Sequence, residues 1–242
     1  MPAPRFFVDL PLAAGQSLRL PDGVAHHALR VLRLADGSAI TLFDGRGGEY
    51  AALLAIDGKR ATAHILRFDP VERESPLDLT LVQSWVATDK LDWIVEKAVE
   101  LGVGRIVFAP AERSVVRLTG ERQARRLAHL TLLAQAACAQ CGRNRVPALL
   151  ATDTLAAALA AAGDAPLLML LPTADETLAG MATIASARLL VGPEGGFTEH
   201  EIAMALAAGA RPIRLGPRVL RTETAGLAAL AALQVVAGDL RG

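Results

Sequence analysis

Aromatic residues make up only 4% of this 242-residue chain, and tyrosine occurs once. A core must therefore be built from the small and aliphatic residues that bring the apolar share to 52%. Cysteine is almost absent. Cys138 and Cys141 stand in one short stretch, which excludes a disulfide framework. With no second pair and no suitably spaced histidine, this C-x-x-C reads as a structural pair on a helix rather than a zinc site. No apolar run has the length needed to cross a bilayer. The start, "MPAPRFFVDLPL", lacks the basic-then-apolar layout of a secretion signal, so a soluble cytoplasmic protein is expected. Net charge is also lacking, with 25 basic against 25 acidic residues, which argues against a uniformly basic nucleic-acid binder. Neither a Walker loop nor a dinucleotide fingerprint is present.

Charge is nevertheless unevenly placed. Residues 105–147 carry eight arginines, no lysine and two glutamates, Glu112 and Glu121. Arginine forks match phosphate geometry, so this cluster points to a phosphate-bearing partner or, more plainly, to a solvated basic face.

Residues 1–72 read as strand-rich. "SLRL", "AITLFD", "EYAALLAI" and "ATAHILRF" are short runs separated by Asp-Gly and Gly-rich turns. One interruption, "VAHHALRVLRL", spaces Ala25, Leu29 and Leu32 at helical intervals. A small β-barrel with one helix is expected, followed by the linker "DPVERESP". From there to residue 242 strands alternate with helices. "LDLTLVQSW", "RIVFAP", "PLLMLLP", "ARLLVGP" and "PIRLGP" are the strands. "TDKLDWIVEKAVEL", with Thr88 as its N-cap, a long stretch over 121–141, "TEHEIAMALAAG" and "ETAGLAALAALQVVAG" are the helices. Trp85 and Trp93 are expected in the core. Such alternation with near-continuous apolar strands means an α/β domain with a parallel sheet covered on both faces, binding its ligand beyond the carboxyl ends of the strands.

Two strand-to-helix loops stand out. In "LLVGPEGGFTEHEI" an apolar strand gives way to Gly192, Pro193, Glu194, Gly195 and Gly196, and Thr198 and Glu201 form a capping-box pattern that opens the next helix. A plain turn accounts for one or two of these glycines, and a bare loop read through its main chain accounts for three. A glutamate among them is unwelcome beside phosphates, so a neutral or cationic nucleoside fits better. The second loop, "RLGPRVLRTETAG", packs Arg218, Arg221, Thr222, Glu223 and Thr224 into seven residues. Thr222 or Thr224 is expected to cap the last helix. Glu223 is either a reactive carboxylate or a helix-end charge paired with Arg221.

These two loops resemble the SPOUT superfamily of RNA methyltransferases, and within it the ribosomal RNA small subunit methyltransferase E family. "HHALRVLRLADGSAITLFDGRGGEYAALL" is similar to that family's PUA-like N-terminal barrel, "KLDWIVEKAVELGVGRIVF" to its first βαβ unit, and "RSVVR" and "AQCGRNRVP" follow in order. Ala139 departs from the pattern, standing where the family often has glutamate. The resemblance implies a PUA-like RNA-binding domain over residues 1–72 and a knotted α/β domain over 73–242, its C-terminus folded into a trefoil knot. It implies S-adenosylmethionine as cofactor, no metal, homodimerisation, and methylation of N3 of uridine 1498 in the decoding region of 16S rRNA, within the small ribosomal subunit. By the same resemblance Leu171, Pro172, Gly192, Pro193, Glu194, Gly195, Gly196, Leu215, Gly216, Val219, Leu220 and Thr222 hold the cofactor.

Uracil N3 carries a proton and is a poor nucleophile until that proton leaves, so such a site needs a base and a group that stabilises the anion. Glu223 is the candidate base, Arg221 or Arg143 the candidate for the uracil oxygens, and Asn144 for the base edge. Arg30 and Arg33 on the barrel helix, with Arg113 and Arg117, are the candidate RNA contacts. A methyltransferase acting on a ribose 2′-hydroxyl or on guanine N1, and an RNA-binding module without chemistry, are the competing readings.

Overall fold

Asp-Gly turns and strict alternation shape the first part of the chain. The computed structural model describes residues 3–178, 181 and 183–240. They fall into two compact units, one built from residues up to 74 together with 135–146, the other from 75–134 together with 147 onward.

The first unit has strands β1 (Arg5–Phe7), β2 (Ser17–Arg19), β3 (Ala39–Phe43), β4 (Glu49–Asp57) and β5 (Arg60–Asp69), and the short helix α1 (Asp22–His26). They form one sheet in the order β1-β3-β4-β5-β2, in which only the β1–β3 pair is parallel. Along β5, Ala61, Ala63 and Ile65 turn inward, and from β4 Ala52 and Leu54 join them. A register shift between Ala51 and Ala52 marks a bulge in β4. The helical interruption differs from expectation. After α1 the chain makes a π-helical turn, His27–Val31, in which the Leu32 amide donates to the His27 carbonyl at 3.0 Å. That wider turn breaks the 3.6-residue register. Ala25 and Ala28 are buried instead, and Leu32 is left exposed.

The second unit contains β6 (Asp78–Ser84), α2 (Thr88–Glu100), β7 (Arg105–Ala109), the start of α3 (Gly120–Cys141), β8 (Ala148–Ala151), α4 (Leu155–Ala161), β9 (Leu167–Leu170), β10 (Ser186–Val191), α5 (Glu199–Ala207), β11 (Arg211–Ile213) and α6 (Thr222–Val236). All five strand pairs are parallel, in the order β11-β9-β10-β6-β7-β8. The central strands are covered on both faces, as their apolar runs require. Val82, Val107, Met169 and Leu190 pack with α4 and α5 residues. On α6, Gly226 lets the helix approach Leu81 and Val191, since an added Cβ would come within 3.3 Å of both side chains. Trp85 is fully buried and stacks on Phe108 with ring centroids 4.9 Å apart. Trp93 is 54% exposed, contrary to the expectation of a core residue, because it lies on the outer face of α2 beside Lys97.

Thr88 is the first residue of α2 rather than its cap. The cap position is Ala87, which offers no side-chain acceptor. Thr198 does cap α5, with the reciprocal Glu201 bond in place. Among the described residues no helix is long and apolar enough to cross a membrane, and no group of three His, Cys, Asp or Glu side chains is placed to hold a metal ion.

Cys138 and Cys141 lie at the end of α3 as free thiols. Burial pushes the Cys138 thiol up to about 12. A protonated, covered thiol is a poor nucleophile. Iodoacetamide at pH 8 is therefore expected to alkylate Cys141 first and Cys138 only under denaturing conditions, as read by mass mapping of the tryptic peptides.

Candidate active site between two strand-end loops

The loop after β10 is shaped by contacts within the protein. A Cβ on Gly192 would come to 3.1 Å from the Phe197 ring, and one on Gly195 to 2.9 Å from the Cβ of Arg113. Gly196 has a φ of +67°, in the left-handed region. Each of the three glycines thus has a reason within the protein, where the sequence reading assigned the plain turn only one or two. Arg113 braces the loop from the segment after β7, its guanidinium donating to the carbonyls of Gly195 (3.2 Å) and Phe197 (3.3 Å). Glu201 is buried. Its carboxylate accepts from the Thr198 and Glu112 amides, both at 2.8 Å.

The second loop is tied to the first through Thr222. This threonine does not cap α6. It is the first residue of the helix, and the cap position is Arg221, without a side-chain cap bond. The Thr222 hydroxyl instead donates to the Gly192 carbonyl at 2.6 Å and accepts from the side-chain amide of Gln83 at 3.1 Å. Gln83 sits fully buried on β6, a polar residue within an apolar strand, and that misfit was its only signal in the sequence.

Between the loops lies a cavity of about 430 Å³, within the range of small-molecule and cofactor sites. Leu171, Pro172, Gly192, Pro193, Glu194, Gly196, Leu215, Gly216, Val219, Leu220 and Thr222 line it, and so does Arg221. Gly195 does not, because it backs onto Arg113. Arg218, noted in the polar cluster of the second loop, lines it too, and Lys90, Phe197 and Ile213 do so without having been singled out in the sequence.

Lys90 matters most among these. Its ammonium lies 2.9 Å from a Glu194 oxygen and 3.5 Å from a Glu223 oxygen. The hydrogen bond with Glu194 raises the Lys90 pKa above its ordinary value. Burial works against ionisation of Glu194, yet the hydrogen bond from Lys90 and its charge outweigh this and hold that carboxyl below the usual range. Glu223 pairs with Lys90, not with Arg221, through a buried Oε2 that makes no closer hydrogen bond, and Glu223 is not among the residues that line the cavity.

The remaining candidates lie elsewhere. Arg143 and Asn144 belong to the first unit. Arg143 is 4% exposed and bonds Glu74, with Nε donating at 3.0 Å to one carboxylate oxygen and Nη2 to the other. Asn144 is fully buried. It donates to the Val71 carbonyl at 2.9 Å and accepts from Arg5 at 2.6 Å, while Arg5 also pairs with Glu49. Arg30 and Arg33 are exposed in the first unit, and Arg33 adopts a left-handed φ of 53°. Arg117 donates to the Glu112 carbonyl at 3.2 Å. Asn144→Ala orphans the Val71 carbonyl and removes the nearest of three acceptors of Arg5 Nη2, leaving it the Gly142 and Arg143 carbonyls at 3.2 Å. An orphaned group costs about 1–3 kcal/mol when buried. Faster hydrogen exchange in the amides of β3–β5 is the expected outcome, and unchanged protection would show that the network does not hold this unit.

Comparison with known proteins agrees with this architecture. Residues 73–234 match a family described as an RNA methyltransferase domain, and residues 20–66 match an RNA methyltransferase PUA domain. Ribosomal RNA small subunit methyltransferase E of Buchnera aphidicola subsp. Schizaphis graminum is 30% identical over 240 residues, covering 98% of each chain. That of Mycobacterium bovis is 31% identical over 244 residues, 98% of this chain and 93% of the other. Among solved structures, ribosomal RNA small subunit methyltransferase E of Neisseria gonorrhoeae, bound to S-adenosyl methionine, is 41% identical with a TM-score of 0.89, covering 98% of this chain and 99% of that one. A methyltransferase of Legionella pneumophila in complex with the cofactor SAM is 33% identical with a TM-score of 0.94, covering 99% and 100%. With a methyltransferase domain over most of its length and full-length relatives of this kind, the chain belongs to the ribosomal RNA small subunit methyltransferase E family of RNA methyltransferases.

Proposed function

We propose that this protein transfers the methyl group of S-adenosylmethionine to N3 of one uridine in the decoding region of 16S rRNA, within the small ribosomal subunit. The observation that carries the reading is the cavity between the two braced loops, with Lys90 on its wall paired to Glu194 and to Glu223. The residues present fit the cofactor. The volume suits a nucleoside-sized ligand. A side chain at Gly196 or Gly216, both on the cavity wall, would meet no protein atom within 4 Å, so the protein's own packing leaves that space open. In this reading the main chain of Gly192–Gly196 and of Leu215–Gly216 holds the nucleoside, and Leu171, Pro172, Val219 and Leu220 supply its apolar contacts.

Once bound, the cofactor supplies a methyl group on a sulfonium, ready for in-line displacement. The chain's own residues prepare the acceptor. Glu223, whose Oε2 faces the Lys90 ammonium at 3.5 Å, is the base that takes the uracil N3 proton. Arg221 is placed to stabilise the charge left on the uracil oxygens. Arg143 and Asn144, expected at the uracil oxygens and the base edge, instead shape the first unit, since their polar atoms hold Glu74, Val71 and Arg5. Residues 1–72 serve as the RNA-binding domain, with Arg30 and Arg33 as contacts and Arg117 extending the phosphate track. Arg113 contributes chiefly by bracing the glycine loop. A knotted C-terminus, a homodimer, a cytoplasmic location and the absence of a metal belong to the same proposal.

Tritiated methyl transfer to small subunits lacking the modification, followed by mass spectrometry of the nucleosides, tests the acceptor. N3-methyluridine is expected, and a methylated ribose or another base would overturn the assignment. General-base catalysis contributes about 10²–10⁴-fold. Glu223→Gln is therefore expected to lower the single-turnover rate by at least about 10²-fold while cofactor and subunit binding persist. A full rate in that variant would remove Glu223 as the base.

A further inference from the structure

The first unit carries a second cavity, of about 570 Å³, that no step of the reaction uses. Its rim holds four cations, Arg19, Arg30, Lys59 and Arg60, with His26, against a single lining carboxylate, Asp22. Asp22 reaches only Arg19, at 3.7 Å, and both side chains are largely in solvent, so it neutralises little. The neighbouring Asp36 is engaged by the Ile56 amide at 2.7 Å, and Asp57 lies at the exposed end of β4. Five other arginines of this unit sit on carboxylates: Arg5 and Arg73 on Glu49, Arg67 on Asp69, Arg143 on Glu74 and Arg145 on Glu72. Among the described residues Arg30, Lys59 and Arg60 make no such pair, and all three are exposed. The floor differs from the rim. Leu29, Leu34 and Ile56 are half-buried aliphatic side chains packed against the core of the sheet.

A basic rim over an apolar floor fits one class of ligand, a nucleotide taken out of its stack. Phosphates satisfy the cations, and a base face satisfies the aliphatic surface. We infer that this cavity seats an unpaired nucleotide of the RNA substrate, with Arg30, Lys59 and Arg60 on its flanking phosphates and the base over Leu29, Leu34 and Ile56. The π-helical turn shapes this wall, because it carries Leu29 and Arg30 together. The inference rests on the proposal that the acceptor is ribosomal RNA. It adds a contact on the unit that does not carry the cofactor cavity.

The test uses the full-length protein and small ribosomal subunits lacking the modification. Equilibrium binding is measured by co-sedimentation across a salt series, beside calorimetric binding of S-adenosylmethionine. The Lys59→Ala/Arg60→Ala double variant is expected to bind subunits at least tenfold more weakly. The slope of log affinity against log salt should flatten by about 1.4, the value for two lost single-strand phosphate contacts. Cofactor affinity should stay at the wild-type value. Arg67→Ala, an arginine of the same sheet that does not line the cavity, should change affinity by less than twofold. An equal loss in that variant would mean diffuse attraction and would overturn the seat. Photo-cross-linking with 4-thiouridine in the 16S rRNA should map to peptides containing Leu29, Leu34 or Ile56, and cross-links confined to other segments would overturn the base placement. A wild-type protein that binds no subunits would overturn the proposed function itself. Wild-type binding with an unaffected double variant would overturn only this inference.

Discussion

The hydroxyl of Thr222 occupies a point where β6, the loop after β10 and the start of α6 meet. It gives its proton to the Gly192 carbonyl and takes one from the Gln83 amide. Because a hydroxyl both donates and accepts, it can satisfy two buried partners at once. Valine at this position would keep the shape and orphan both of them. This link ties the two loops that wall the cavity, where Lys90 pairs with both Glu194 and Glu223. The loops are therefore stiff by hydrogen bonding rather than by glycine, whose freedom alone would leave them loose.

That distinction explains what could be seen in the sequence. Buried strands of a parallel sheet are near-continuous apolar runs, so β6, β7, β9 and β10 stood out against polar turns. β1, β8 and α4 did not. The first two are three and four residues long, and "LAAALAA" has no polar face to give it a period. The π-helical turn was hidden for another reason: it is a change of backbone hydrogen-bond register at residues of ordinary helical character.

Most of the cavity wall was legible because two loops carry glycine, proline and clustered polar residues between apolar neighbours. Lys90 and Gln83 were not, since each reads as an ordinary member of its own helix or strand and acquires its role from residues about 100 or more positions later. Arg113 shows the same limit from the other side. It was noted for its charge, whereas its guanidinium serves two backbone carbonyls of the glycine loop. Arg143 and Asn144 were recognised as a polar cluster, but their partners Glu74, Val71 and Arg5 come from a distant part of the chain.

The order of strands has a consequence for biosynthesis. β10 pairs with β6 in register from Asp78 and Ser186 onward, so the central ladder joins segments more than a hundred residues apart. Most of the lining residues of the cavity fall after residue 169. A chain emerging from the ribosome would display one edge of β6 open over the more than one hundred residues of synthesis that separate it from β10, a template for wrong partners until β10 arrives. Competence to bind a nucleoside thus arrives only with the final segment, which makes ligand capture a report on completed folding and gives nascent chains a reason to need protection until then.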